Sequence, residues 1–147
     1  MFKPLFFKIT KGVKEMANKT NKANELYEKV KNEKIVMSWK GVDYTLVFNL
    51  NVMEEIQEEY GSVGKWGALT DNAQEPNAKA VIFGLTAMIN EGIDIDNEEN
   101  QGKKSYKPKE FLTKKQVGRM LTEVGLEDAT ASLNDAVIKS VASDEKN

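Results

Sequence analysis

Apolar residues recur along the chain with two different periods, and the switch between them marks out its elements. Residues 35–48 are rich in β-branched and aromatic side chains and are interrupted once, by Lys40-Gly41. That pattern predicts a β-hairpin. Ile35, Met37 and Trp39 share one face of its first strand, and Tyr44, Leu46 and Phe48 share one face of its second. A two-stranded ribbon is marginal by itself, so helices must cover it.

Beyond residue 50 the period becomes helical. Asn51 followed by Glu54 reads as a helix start, Val52, Ile56 and Tyr60 with Met53 form the apolar stripe, and Gly61 ends it. Residues 62–69, punctuated by glycine, predict a short helix or turn carrying Val63, Trp66 and Leu69. Pro76 suits a first helical turn, opening a helix over 77–91 with Ala78, Val81, Ile82, Leu85, Met88 and Ile89 on a wide apolar face and Gly92 as its stop. This is the expected central core helix. Residues 94–109 are hydrophilic, contain Gly102 and Pro108, and predict a mobile loop. Thr113 is placed to cap a helix over 114–124, with Val117, Met120, Leu121 and Val124 inward and Gly125 as the stop. A last helix over 126–141 carries Leu126, Ala129, Leu133, Ala136 or Val137, and Val141.

Residues 1–34 are different in kind. Between 18 and 34 only Leu26, Tyr27 and Val30 interrupt a polar run, and residues 23–31 can form one short helix with a Glu25 to Lys29 pair. The expected organisation is a polar, basic, loosely attached leader over 1–34, one domain over 35–141, and a frayed tail over 142–147. The expected fold class is α+β and mostly helical, an N-terminal β-hairpin packed on a bundle of about four helices. Residues 11–15, reverse-translated, can be purine-rich codons like a bacterial ribosome-binding site ahead of Met16, which leaves two readings of residues 1–15 open: translated leader ahead of a start at Met16, or a terminal extension of the protein itself.

Length and composition sharpen this picture. At 147 residues and 16.5 kDa the chain has room for one core. It contains no cysteine and no histidine, which removes disulfides, thiolate nucleophiles and the commonest general base and metal ligand. The net charge of −2 hides an asymmetry: residues 1–34 hold nine Lys against four Glu, and the remainder is correspondingly acidic, at −7. The leader's lysines are spread, interleaved with Glu and unaccompanied by arginine, which disfavours nucleic acid as a partner. No run approaches the roughly 20 apolar residues of a membrane span. These features predict a cytoplasmic protein that engages no membrane.

Three clusters invite chemistry and lack what that chemistry needs. Asp94, Asp96 and the carboxylates after them begin like a calcium loop, but Glu99 stands where the sharp turn wants Gly and Ser105 where the bidentate Glu belongs. Glu54, Glu55, Glu58 and Glu59 read as the solvated face opposite the Val52, Ile56, Tyr60 stripe. Gly61, Gly64 and Gly67 lack the Lys-Ser or Lys-Thr of a phosphate loop. No catalytic, cofactor-binding or metal-ligating residue is expected.

The stretch Trp39-Lys40-Gly41-Val42-Asp43-Tyr44-Thr45-Leu46-Val47-Phe48-Asn49-Leu50-Asn51, with the Glu-rich helix to Tyr60-Gly61, resembles the tail assembly chaperones of long-tailed phages and prophages of Gram-positive bacteria. Residues 80–92, with Phe83-Gly84-Leu85, and residues 112–124, with Val117-Gly118-Arg119, extend the likeness over about 35–126. The resemblance implies a strand, glycine turn, strand and acidic-apolar helix followed by helices alone. It also implies a non-catalytic protein of the host cytoplasm that coats the tape-measure protein and hands it to tail-tube subunits. Trp66, Leu69, Phe111, Leu112 and Met120 flank loops and are the candidate partner contacts. Self-association is a further possibility. Two other classes compete: a head-tail connector or tail terminator, which would close into a ring, and a DNA-binding regulator, for which Lys114, Lys115 and Arg119 offer the nearest approximation to a recognition helix.

Overall fold

The computed structural model describes residues 34–71 and 75–146, with side chains described as far as Val141. The expectations for residues 1–33, including the helix over 23–31 and the start at Met16, lie outside the described residues. The elements run β1 (Val36–Trp39), β2 (Val42–Thr45), α1 (Leu50–Tyr60), α2 (Val63–Thr70), α3 (Ala78–Glu99), α4 (Lys114–Val124) and α5 (Leu126–Lys146). The fold is α+β and mostly helical, with the hairpin packed against the helices.

β1 and β2 pair antiparallel with Met37 opposite Tyr44 and Trp39 opposite Val42. Lys40 and Gly41 have φ of 52° and 77°, the mirror-image turn that matches the right-handed twist of two strands. The pleat turns Met37 and Tyr44 inward, and the Leu46 amide extends the ladder by donating to the Ile35 carbonyl at 2.8 Å. Trp39 Nε1–H donates to the Glu123 carboxylate and so ties the hairpin to α4.

α3 is the spine. Ala80, Val81, Gly84, Leu85, Thr86, Ala87, Met88, Ile89, Gly92 and Ile93 are all buried, and burial on so many sides marks a helix enclosed by its neighbours. It packs against every other helix and against β2. Gly92 does not end it, contrary to expectation; the helix runs on to Glu99, 22 residues in all from Ala78. The glycine answers a tertiary demand, because a Cβ there would lie 2.2 Å from the Thr45 carbonyl oxygen. Bare backbone at this point lets β2 sit directly on α3.

The expected loop over 94–109 is also corrected. Its first part is the end of α3, and its second part is tied along that helix by two asparagines. Asn97 Oδ1 accepts from the Lys109 amide at 3.0 Å while its Nδ2 donates to the Lys109 carbonyl at 3.0 Å. Asn90, two turns earlier, does the same for Leu112, at 2.8 and 2.9 Å. Tyr106 adds a hydroxyl donation to Asn97 at 2.6 Å. Lys109 reaches Asp96 at 3.6 Å and the Asp43 carbonyl at 3.3 Å, joining this strap to α3 and the hairpin. Backbone that helix and sheet leave unpaired is thereby satisfied by side chains.

Four helices, α1 to α4, begin at a polar side-chain cap: Asn49, Ser62, Asn77 and Thr113. Thr113 and Gln116 form a reciprocal capping box on α4, as the sequence pattern predicts, and Gly125 ends that helix. The α1 cap is Asn49, not Asn51, with its Oδ1 accepting from Val52 N–H at 3.2 Å. On α5, Ala129, Leu133 and Ala136 are buried as expected, Ile138 joins them, and Val137 and Val141 are only half-buried. The α5 backbone runs on past residue 141 to Lys146.

Two substitutions should separate tertiary demand from helix propensity. Gly92→Ala is expected to lower the unfolding free energy by ~3 kcal/mol, the upper part of the overpacking range. Gly67→Ala, whose Cβ would meet nothing within 4 Å, should raise it by about 0.5–1 kcal/mol. Urea titration of both variants checks the pair. For the strap, Asn90→Ala leaves the Leu112 amide and carbonyl without their partner and should cost about 1–3 kcal/mol. Hydrogen exchange at Leu112 should accelerate in that variant while exchange along α3 holds.

Candidate partner-binding surface

Trp66 belongs to the core. It is 2% exposed, its Nε1–H donates to the Ala80 carbonyl at 2.9 Å, and its indole lies over Gly84, where a Cβ would be 2.4 Å from Cζ2. Phe48 stacks on its ring at a centroid distance of 6.2 Å. Met120 is fully buried beneath α4, and Leu112 is buried with its backbone held by Asn90. Burial corrects the expectation that Trp66, Leu112 and Met120 are surface contacts. Leu69 on α2 and Phe111 on the strap do reach solvent, with Phe111 58% exposed. The five residues therefore form no common surface.

A different set of residues lines an open groove. One wall is the segment leaving the hairpin and the first turn of α1: Leu46, Val47, Phe48, Asn49, Leu50 and Met53. The other is α5, through Ala136, Lys139 and Ser140. Its volume is about 330 Å³, within the range that admits apolar side chains of a ligand or partner. Leu50, on its rim, is 78% exposed, well beyond Phe111 among the described large apolar residues.

The groove wall is positioned by hydrogen bonds from its own segment. Val47 N–H donates to the Met88 carbonyl at 3.3 Å, which fixes the exit from β2 against α3. Glu91 Oε2 accepts from Asn49 Nδ2 at 2.7 Å and from Asn51 Nδ2 at 2.9 Å, anchoring the start of α1 to the same helix. Sequence reading passed over this wall. The signal was available: with Val52 and Ile56 inward, a 100° step per residue puts Leu50 on the opposite face of α1, where the other positions are polar.

The carboxylate cluster on α1 is solvated, as the pattern predicts for Glu54, Glu55, Glu58 and Glu59, all of which are exposed. Glu55 is the perturbed member: partial burial raises its carboxyl above the ordinary value, Glu91, Glu54 and Glu58 raise it further, and Lys114 opposes them. Lys114 itself sits over the Phe83 ring, 4.8 Å from its centroid, and Phe83 meets Tyr60 edge-on at 5.5 Å. Asp94 to Glu99 are helical, so they cannot wrap a cation as a loop would. Among the described residues no cluster of metal-ligating side chains occurs, and no helix is long and apolar enough to cross a membrane.

Compared with known proteins, the chain matches no family model, no curated sequence and no solved structure.

The Glu55 environment gives a pH-dependent prediction. A carboxyl raised in the folded state favours its protonated form there, so the stability it contributes is present at low pH and is lost as pH rises through the folded-state value. Glu55→Gln should therefore melt higher than the parent at pH 7, with the difference closing as pH falls toward about 4, near the ordinary Glu value. Parallel thermal melts across that interval check both sign and window.

Proposed function

We propose that this protein is a phage tail assembly chaperone, non-catalytic, that binds apolar helical segments of a tape-measure protein and assists their transfer to tail-tube subunits in the bacterial cytoplasm. The groove between residues 46–53 and α5, with Leu50 exposed on its rim, carries this reading. An open, largely apolar trough on an acidic body suits a partner helix whose own apolar stripe must be kept from water. The order hairpin, acidic-apolar helix, then helices alone agrees with what the resemblance implies. The acidic face of α1 adjoins the groove and favours solubility of the loaded complex.

Co-expression with the tape-measure protein tests the proposal. The tape-measure protein should stay soluble with the parent chain and precipitate with Leu50→Glu. That substitution places an acid in the first turn of α1, where the helix dipole favours it, so the variant should keep its fold and melting temperature. Equal precipitation of the tape-measure protein with and without the parent chain would rule the function out.

A further inference from the structure

The hairpin has one guarded edge and one open edge. We propose that β1 pairs antiparallel with β1 of a second copy of this chain, about a two-fold axis at Val36, to make a four-stranded sheet across a homodimer. The Leu46 amide donates to the Ile35 carbonyl, so residues 35 and 46 form a hydrogen-bonded pair. By alternation along the register, Met37 with Tyr44 and Trp39 with Val42 are hydrogen-bonded pairs too. The backbone groups of Val36, Ser38, Asp43 and Thr45 therefore point out of the hairpin.

On β2 these outward groups are occupied. The Thr45 carbonyl lies against the bare backbone of Gly92, and the Asp43 carbonyl accepts from Lys109 Nζ at 3.3 Å. α3 packs against β2, which leaves β1 as the outer strand. Among the described residues no hydrogen bond reaches the Val36 or Ser38 backbone. Both residues are exposed, Val36 at 43%. The strand Val36–Trp39 carries none of the charged residues or prolines that ordinarily guard a sheet edge.

This edge is complementary to itself. With Val36 opposite its own copy, the two valines cover each other, and Lys34, exposed at the start of the same edge, comes opposite the second copy's Ser38. The Ser38 hydroxyl donates to the Asp43 carboxylate on the same face, so each Lys34 ammonium meets an acid across the axis. Moving the axis to Met37 would instead set Lys34 against Lys40, a like charge in the turn with φ of 52°. Ion pairs this exposed add little affinity and chiefly select the register. Reciprocal contacts of this kind are what a two-fold interface requires, and they favour a second copy over a foreign strand. Two four-residue strands bury less than a standard interface, so the dimer is weak and exchanging. Residues 34–39 do not line the groove, so the pairing stands whether or not the groove binds tape-measure segments.

The full chain, which has no native cysteine, allows a direct experiment. Val36→Cys should form an intermolecular disulfide roughly tenfold faster than Ser38→Cys, because at this register residue 36 faces itself and residue 38 does not. Sedimentation of the parent should show a concentration-dependent equilibrium of monomer and dimer, with the Val36 and Ser38 amides exchanging more slowly as dimer forms. Val36→Lys, on an exposed face, should keep the monomer fold and weaken dimerisation roughly tenfold. Lys34→Asp and Asp43→Lys should each weaken it, and the two together should restore it. A parent that stays monomeric up to about 1 mM, equal disulfide rates at positions 36 and 38, or a dimer indifferent to Val36→Lys would each overturn the proposal. So would protection of the Val36 and Ser38 amides in the monomer, the sign of a different strand on this edge.

Discussion

The contact between the Thr45 carbonyl and the bare backbone at Gly92 is the constraint on which the rest of the structure depends. A hairpin of two short strands has too little surface to stand alone, so its position is set by the helix beneath it. With no Cβ at Gly92, β2 settles close to α3, Val47 can donate to the Met88 carbonyl, and Glu91 is placed to hold Asn49 and Asn51. Those three consequences fix the course of residues 46–51. The wall of the groove is thus a by-product of how closely strand and helix approach.

α3 performs this role because it is enclosed on nearly all sides. The hairpin, α1 and α2 meet it together with α4 and α5, while the strap is laid along its exposed end by Asn90 and Asn97. The two asparagines stand seven residues apart and so recur on one face. Their pairing with Leu112 and Lys109 replaces secondary structure across a stretch that has none. α4 then begins at a capping box whose register follows from the end of the strap.

Much of the fold was legible because local rules and tertiary packing agree there. Lys40-Gly41 between alternating strands, the Thr113 cap with Gln116, Gly125 as a stop, and the Val117, Met120, Leu121 stripe each follow from local chemistry and each occurs as read. The failures cluster where a residue serves a distant partner. Gly92 resembles a helix stop but accommodates a strand; Asn51 resembles a cap but donates to Glu91; the polar stretch after residue 94 conceals side-chain-to-backbone pairs that no periodicity reveals. The surface was the least legible part. Trp66 in a glycine-flanked turn looks like an anchor, yet its indole is needed against Gly84 and Phe48, and Leu50 was hidden by placing the helix start two residues late.

The account's central claim is that residues 46–53 and the facing stretch of α5 form the surface through which the protein meets an apolar helix. Methyl NMR of the full chain, titrated with helical segments of a tape-measure protein, tests it most directly. Shifts concentrated at Leu46, Leu50, Met53 and Ala136, with the core methyls of Leu85 and Ile89 unmoved, are the result the account predicts. Shifts centred instead on Leu69 or Phe111, or no response at saturating peptide, would contradict it.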